Sequence, residues 1–186
     1  KHKSVLCSKA CPLSKRITYF TRIVHPAFFW CTGSWNLRSD QFSKVRGAQR
    51  NMIRKMCHFK LRESEDLESF MKRTNQFIND LLERESALTW DILVRRDVFK
   101  WAGWTARLRS FDPLRITYNI LLQKNWDWIQ SVASQNNGRQ LHGRCLKIWR
   151  WEALIYKYSR ENYPGTSWVD MAQDSYEWTQ LVQNLL

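Results

Sequence analysis

Apolar side chains recur every three to four residues along most of the chain, which is the spacing of one face of an α-helix. The first such stretch runs from Lys15 to Trp30, and Pro26 is expected to kink or end the helix that it predicts. A second stretch begins at Ser39, a residue type favoured at helix N-caps, and continues to Met56. Both stretches therefore predict amphipathic helices.

The helical spacing continues through the remaining two thirds of the chain. Acidic residues directly after Ser64 indicate the start of a third helix, because carboxylates favour the positive N-terminal end of the helix dipole. A polar loop is predicted over 134–143, around Asn136-Asn137-Gly138. Further helices are predicted over 89–108, 115–124, 125–134, 144–160 and 167–184.

The pattern gives no indication of β-structure. No segment alternates with the period of two that is typical of a strand, and four Pro and six Gly are few for a fold with many tight turns. The predicted fold is therefore all-α, an irregular bundle of about seven to eight helices. We expect it to divide into basic, thumb-like helices at 1–62 and a Trp-rich helical bundle at 63–186, or to form one continuous domain.

Charge is distributed unevenly along the sequence. Residues 1–62 hold 14 Lys and Arg against one acidic residue, Asp40, whereas residues 63–186 hold 16 basic and 16 acidic residues. A positive field of this size repels itself, and it usually meets a polyanion. Nucleic acid is the first candidate, and an anionic membrane surface is the second. No run of eighteen or more uncharged apolar residues predicts a transmembrane segment.

The basic residues of the second helix form a row. Arg46, Arg50 and Arg54 are spaced by four residues, so they share one side of the helix, and such a row is able to follow the phosphates of one strand or groove. A solvated helix face is the alternative interpretation. Around the predicted loop, basic residues alternate with Trp149 and Trp151, a pattern suited to backbone contact with base stacking. The candidates are Lys44, Arg46, Arg50, Arg54, Lys55, Lys60, Arg62, Arg139, Arg144 and Arg150.

Residues suited to catalysis are scattered. The chain has no glycine-rich phosphate loop, no nucleophile elbow and no paired-carboxylate motif, so we expect neither enzymatic activity nor a cofactor. Cys7 and Cys11 together with His142 and Cys145 could supply four zinc ligands if the ends of the chain met in space. The alternative is that the five cysteines are reduced thiols of an intracellular protein.

Three segments match a known pattern in order and spacing. The first is Phe28-Phe29-Trp30-Cys31-Thr32-Gly33-Ser34-Trp35-Asn36-Leu37, followed by Gln49-Arg50-Asn51-Met52-Ile53-Arg54-Lys55-Met56. The second is Phe99-Lys100-Trp101-Ala102-Gly103-Trp104-Thr105-Ala106-Arg107-Leu108. The third comprises Gly143-Arg144, Trp149-Arg150-Trp151-Glu152, Trp168, Ala172-Gln173-Asp174 and Trp178.

Together these segments resemble the region that follows the catalytic palm in reverse transcriptases of non-LTR (LINE-type) retrotransposons. The chain departs from the family pattern at Trp104, Cys145 and Ser175, where the family usually has His, Pro and Arg. The resemblance implies a thumb and C-terminal portion that grips a template–primer duplex and lacks the fingers and palm. It places Arg50, Arg54 and Lys55 against phosphate, and it adds Arg107 to the nucleic-acid-binding candidates.

Two functions follow as expectations. The first is a non-catalytic module that binds RNA or an RNA/DNA duplex, located in the nucleus if the protein behaves like a retroelement. The second is a co-opted structural subunit of a large assembly, either an organellar ribonucleoprotein or a membrane-bound complex, with protein partners that cover exposed tryptophans. The absence of an initiator Met and the basic start suit a fragment or an imported, trimmed protein.

Overall fold

A computed structural model describes residues 2–35, 37, 39–108, 111–113 and 150–185, which contain no strand. A π-helical turn, Phe20–Val24, joins α2 to α3 without a break, so the described residues form eight continuous helical segments. The all-α class is confirmed. The helices are α1 (Lys3–Leu6), α2 (Leu13–Tyr19), α3 (His25–Phe28), α4 (Ser39–Met56), α5 (Leu67–Arg84), α6 (Trp90–Ala106), α7 (Arg150–Asn162), α8 (Trp168–Met171) and α9 (Ser175–Gln183).

Pro26 is accommodated within the first long helical segment rather than kinking it at once. A proline lacks an N–H and its ring clashes with the carbonyl four residues earlier. The π turn, whose hydrogen bonds span five residues instead of four, ends at Val24, two residues before Pro26, so the backbone departs from a regular α-helix where the proline ring would clash. The segment ends two residues later, at Phe28.

The chain forms two compact units. The first unit comprises Lys1–Thr32 and Ser39–Val94, and the second comprises Gly33–Arg38 and Arg95–Leu186, so α6 begins in the first unit and ends in the second. This division differs from the expected boundary after residue 62. The physical reason is that α5 buries its apolar face in the same core as α4.

This division also redistributes the charge. Within the first unit, 16 Lys and Arg face nine Asp and Glu, a net charge of +7, because the acidic residues around α5 belong to that unit. The second unit has 14 basic and eight acidic residues, a net charge of +6. The net positive charge is therefore nearly equal in the two units, although 13 of the 14 basic residues of the first third lie in the first unit, where the acidic residues around α5 offset them.

The core of the first unit is centred on Trp90, which is completely buried. Its indole stacks on Phe28 with ring centroids 4.0 Å apart and on Phe20 at 5.7 Å, while His25 and Phe29 meet it edge-on. Aromatic pairs in these geometries stabilise a core beyond the area that they bury. The aliphatic part comes from α2, α4 and α5, with Ile17, Ile53, Met56, Ile78, Leu81 and Leu82.

Two polar residues fix α4 inside this unit. Gln49 is fully buried; its Nε2 donates to the carbonyl of Leu88 and its Oε1 accepts the backbone N–H of Trp90, at the start of α6. Arg16 donates to the carbonyls of Met56 and Leu6, so its guanidinium lies at the C-terminal end of α4, where the helix dipole favours a cation. Arg16 therefore has a structural role despite belonging to the basic third of the sequence.

Helix ends depend on side-chain caps. α5 begins three residues later than its predicted start, because Asp66, not Ser64, accepts the N–H of Ser69. Ser167 caps α8 as predicted, accepting the N–H of Val169. The predicted single helix over 167–184 is wrong, since Asp174 accepts two N–H groups and starts a separate helix, α9.

In the second unit, α6 and α9 approach closely at Gly103. The indole of Trp178 occupies the space where a Cβ of residue 103 would lie, and its Nε1 donates to the carbonyl of Phe99 at 2.8 Å. Arg107 donates to the carbonyl of Ala172 at 2.7 Å, and Gln173 donates to the carbonyl of Ala106. The described residues of the second and third sequence motifs thus pack on one another.

Two further expectations bear on surfaces. Trp104, an apolar residue of the helix predicted over 89–108, is half exposed. In the described part of the chain no helix is both long enough and apolar enough to span a bilayer.

Candidate nucleic-acid interface

A groove runs along α4, facing α5, in the first unit. Arg46, Arg50 and Arg54 line it, because residues four apart lie above one another on one helix face. Its volume is about 370 Å³. We call it the arginine groove, and its lining residues are Ser43, Arg46, Gly47, Arg50, Asn51, Arg54, Met71 and Asn75.

Arg54 lies deepest in the arginine groove, with 8% of its surface exposed. Its three nitrogens donate to the Thr74 hydroxyl at 2.9 Å, to Asn51 Oδ1 at 2.7 Å and to Asn75 Oδ1 at 2.6 Å. All three acceptors are neutral. The guanidinium is therefore held in one orientation, and no carboxylate of the described residues is hydrogen-bonded to it.

Arg50 lies one turn earlier and is half-buried. Its Nη2 donates to Asn79 Oδ1 at 2.9 Å, and its Nε is buried without a hydrogen-bond partner. Burial is the main cause that lowers the pKa of Arg50, and the adjacent charge of Arg46 lowers it further. A buried donor without a partner costs free energy, so Arg50 is not placed here for folding stability alone.

Arg46 differs from the other two because it has a counter-ion. Its guanidinium forms a salt bridge with Asp91, whose side chain is buried in the first turn of α6. Burial alone would raise the pKa of Asp91, but hydrogen bonds from Arg46 and Thr89 lower it below its usual value. The Arg46 side chain itself remains 46% exposed, so its outer edge is accessible.

Like charges therefore adjoin one another along the arginine groove. Burial lowers the pKa of Arg54, and the charge of Arg50 adds to this effect. In the described part of the chain, Asp91 is the one carboxylate that is hydrogen-bonded to any of these three guanidiniums. The groove carries three positive charges against one negative charge, and this arrangement favours a bound anion.

The other predicted site residues are dispersed. Lys44 is exposed and lies 3.6 Å from Asp40, and Lys55 is also exposed. Lys60 and Arg62 lie in the segment between α4 and α5, where their backbones bind Arg73 and Glu65. Arg107 belongs to the second unit. Arg139, Arg144 and the side chain of Arg150 lie outside the described residues.

The sequence analysis missed the neutral groups that orient the arginines. Thr74 and Asn75 are adjacent on α5, and Asn79 lies about one turn later, next to the apolar face of the helix. Asparagine is unfavourable in a helix interior, so two Asn within five helical residues are a departure that could have indicated a polar contact. Gly47, a helical glycine between two of the arginines, was a second such indication.

The described residues include only Cys7 and Cys11 of the four predicted zinc ligands, so the zinc site stays a prediction. The Cys7 thiol lies 3.8 Å from the carbonyl of Lys55, and the Cys7 carbonyl is 2.8 Å from His58 Nε2. His142 and Cys145 lie outside the described residues. Within the described ranges no cluster of three or more His, Cys, Asp or Glu has an arrangement that could hold a metal ion.

No protein-family model matches the chain, and comparisons with curated proteins and with solved structures find no match either.

Proposed function

We propose that this protein is a non-catalytic helical module that binds nucleic acid through the arginine groove. The observation that carries the proposal is the pair Arg50 and Arg54, which are fixed by neutral side chains and keep their full positive charge. Preorganised guanidiniums lose little conformational entropy when they bind phosphate, and they bind it through two parallel hydrogen bonds. The net charge of +7 on the first unit adds a long-range attraction for a polyanion.

The proposed origin is the thumb and C-terminal region of a non-LTR retrotransposon reverse transcriptase. Its support is the sequence resemblance, in which Arg50 and Arg54 occupy the helix expected to touch phosphate. Two of the matched segments also contact each other at Gly103 and Trp178. On this proposal the protein binds nucleic acid in the nucleus without copying it.

The experiment compares two double variants of equal charge. Arg50→Gln/Arg54→Gln removes two charges from the groove, and Lys9→Gln/Lys15→Gln removes two from exposed positions elsewhere in the same unit. Binding to fluorescently labelled RNA and DNA oligonucleotides is measured by anisotropy between 50 and 300 mM salt. Each lost phosphate contact should flatten the slope of log affinity against log salt by about 0.7 to 0.9.

The groove variant should therefore lose about 1.5 units of slope, with a similar loss of affinity for all sequences. The control variant should keep nearly the parental slope. Equal slopes for the two variants would refute the proposal. Because Arg54 is buried, the single variant Arg50→Gln is measured as well, and circular dichroism verifies that each variant is folded.

A structural subunit of a larger assembly is the second candidate, and exposed apolar side chains favour it. Trp30 is 79% exposed and Leu67 is 70% exposed, and large exposed apolar groups occur where a partner covers them. Its test is size-exclusion chromatography of native extract with and without nuclease. A complex of constant stoichiometry that survives nuclease favours this candidate, and a complex dispersed by nuclease favours the first.

A further inference from the structure

Two of the three arginines in the arginine groove are recessed. Arg54 is almost fully buried and Arg50 is half-buried, whereas the Arg46 side chain is 46% exposed. A Cβ placed on Gly47, which also lines the groove, would meet no atom within 4 Å, so the space above this residue is open. A ligand has to enter a concavity to reach the charges of Arg50 and Arg54.

Double helices present the opposite shape. Proteins read a duplex by inserting a helix, a strand pair or a loop into its grooves, about 12 Å and 6 Å wide in B-DNA, and they meet the phosphates on its convex surface. A rigid convex backbone has limited access to a guanidinium below the rim of a cleft. A single strand bends freely and is able to turn its phosphates inward.

We infer that the arginine groove binds the sugar–phosphate backbone of single-stranded nucleic acid. This inference rests on the proposed function and narrows its ligand. Four helical residues advance about 6 Å along the axis, so the three arginines span about 12 Å. A strand lying along α4 is able to present successive phosphates to Arg46, Arg50 and Arg54.

The residues that line the groove also predict which part of the strand is bound. None of its eight residues is aromatic, so the groove offers no ring on which a base would stack. The Oδ1 atoms of Asn51 and Asn75 already accept hydrogen bonds from Arg54, so these two amides are fixed on the guanidinium. The strand is therefore bound through its backbone, with little preference for sequence.

The test fills the groove without changing the charge. Gly47→Gln places a side chain in the open space of the groove, and glutamine is a better helix former than glycine, so the variant should fold. Thr18→Gln, at an exposed position of α2, is the matched control. The probes are a labelled 15-nucleotide oligouridylate, the same strand annealed to oligoadenylate, and a polyglutamate peptide.

Gly47→Gln should weaken binding of the full chain to the single strand by about tenfold or more, and Thr18→Gln should leave it unchanged. The parent protein should prefer the single strand to the duplex, with a salt slope near 0.7 per phosphate contacted. Equal or tighter duplex binding, or no effect of Gly47→Gln, would overturn the inference while leaving nucleic-acid binding intact. Failure to bind either nucleic acid, or preference for polyglutamate, would overturn the proposed function as well.

Discussion

The two helical glycines Gly47 and Gly103 should respond to alanine with opposite signs. In a helix interior, glycine costs about 0.5 to 1 kcal/mol relative to alanine because of its backbone freedom. That contribution is common to both positions. The difference between them lies in what the added methyl group would meet.

At Gly103 the methyl group would overlap the indole of Trp178. The Cβ would lie 2.2 Å from Nε1 and 2.4 Å from Cδ1, both far inside contact distance, and Trp178 is itself buried. The ring must move, which breaks its hydrogen bond to the carbonyl of Phe99. Overpacking a core costs about 1 to 3 kcal/mol. Leaving the buried indole N–H without a hydrogen-bond acceptor costs about 1 to 3 kcal/mol more.

After subtraction of the helix-propensity gain, Gly103→Ala should lower the free energy of unfolding by about 1 to 5 kcal/mol. For a unit of this size, that corresponds to a fall of about 4 °C or more in the melting temperature. Gly47→Ala, with open space around its Cβ, should instead raise the free energy of unfolding by about 0.5 to 1 kcal/mol.

Thermal unfolding followed by near-ultraviolet circular dichroism is a suitable assay, because each unit has a buried tryptophan, Trp90 in the first and Trp178 in the second, whose bands report packing. A Gly103→Ala variant with an unchanged or raised melting temperature would refute the close approach of α6 and α9. A destabilised Gly47→Ala variant would refute the open groove. The pair is informative because each variant controls for the helix-propensity effect in the other.

The remaining predictions concern the buried histidine His25 and the helix cap Asp174. Burial among Phe20, Phe29 and Trp90 lowers the pKa of His25 from 6.5 to about 4, so the unfolded chain takes up the proton first as the pH falls. The contribution of His25 to the free energy of unfolding should fall by about 1 to 2 kcal/mol from pH 6.5 to pH 4 and then level off. Urea titrations at each pH measure this fall, and the variant His25→Phe should lack it. Asp174→Ala should cost about 1 kcal/mol in thermal unfolding by uncapping α9, whereas Asp174→Asn should retain most of the stability.

The long helices were predictable because their apolar period is sustained. α4 and α5 each extend over 18 residues, and the buried Ile53, Met56, Ile78 and Leu81 all lie on the predicted stripes. Tertiary contacts could not be read in the same way. The pattern gives the apolar face of a helix but not the helix against which it packs, so it did not show that α4 and α5 share one core.

The errors have local physical causes. Ile23 belongs to the first stretch of helical apolar spacing but is 41% exposed, because the π turn changes the number of residues per turn and rotates the later positions. The break between α8 and α9 lies inside a run with helical spacing, and only the capping geometry of Asp174 reveals it. Periodicity assumes a regular helix, so it fails where a turn widens or a cap intervenes.

The arginine groove contains the most informative departure from sequence reasoning. The row Arg46, Arg50 and Arg54 was found from its spacing, but as a surface row, and α5 partly covers it. Two helices that needed only to pack would bury apolar groups there, since a buried charge without a counter-ion costs more than it returns. Arg50 and Arg54 are oriented by amide and hydroxyl groups and are not neutralised by carboxylates. Burying these two charges therefore lowers the stability of the folded protein. Sites that reduce stability in this way commonly bind a ligand, and an anion is the ligand whose charge would complement these two arginines.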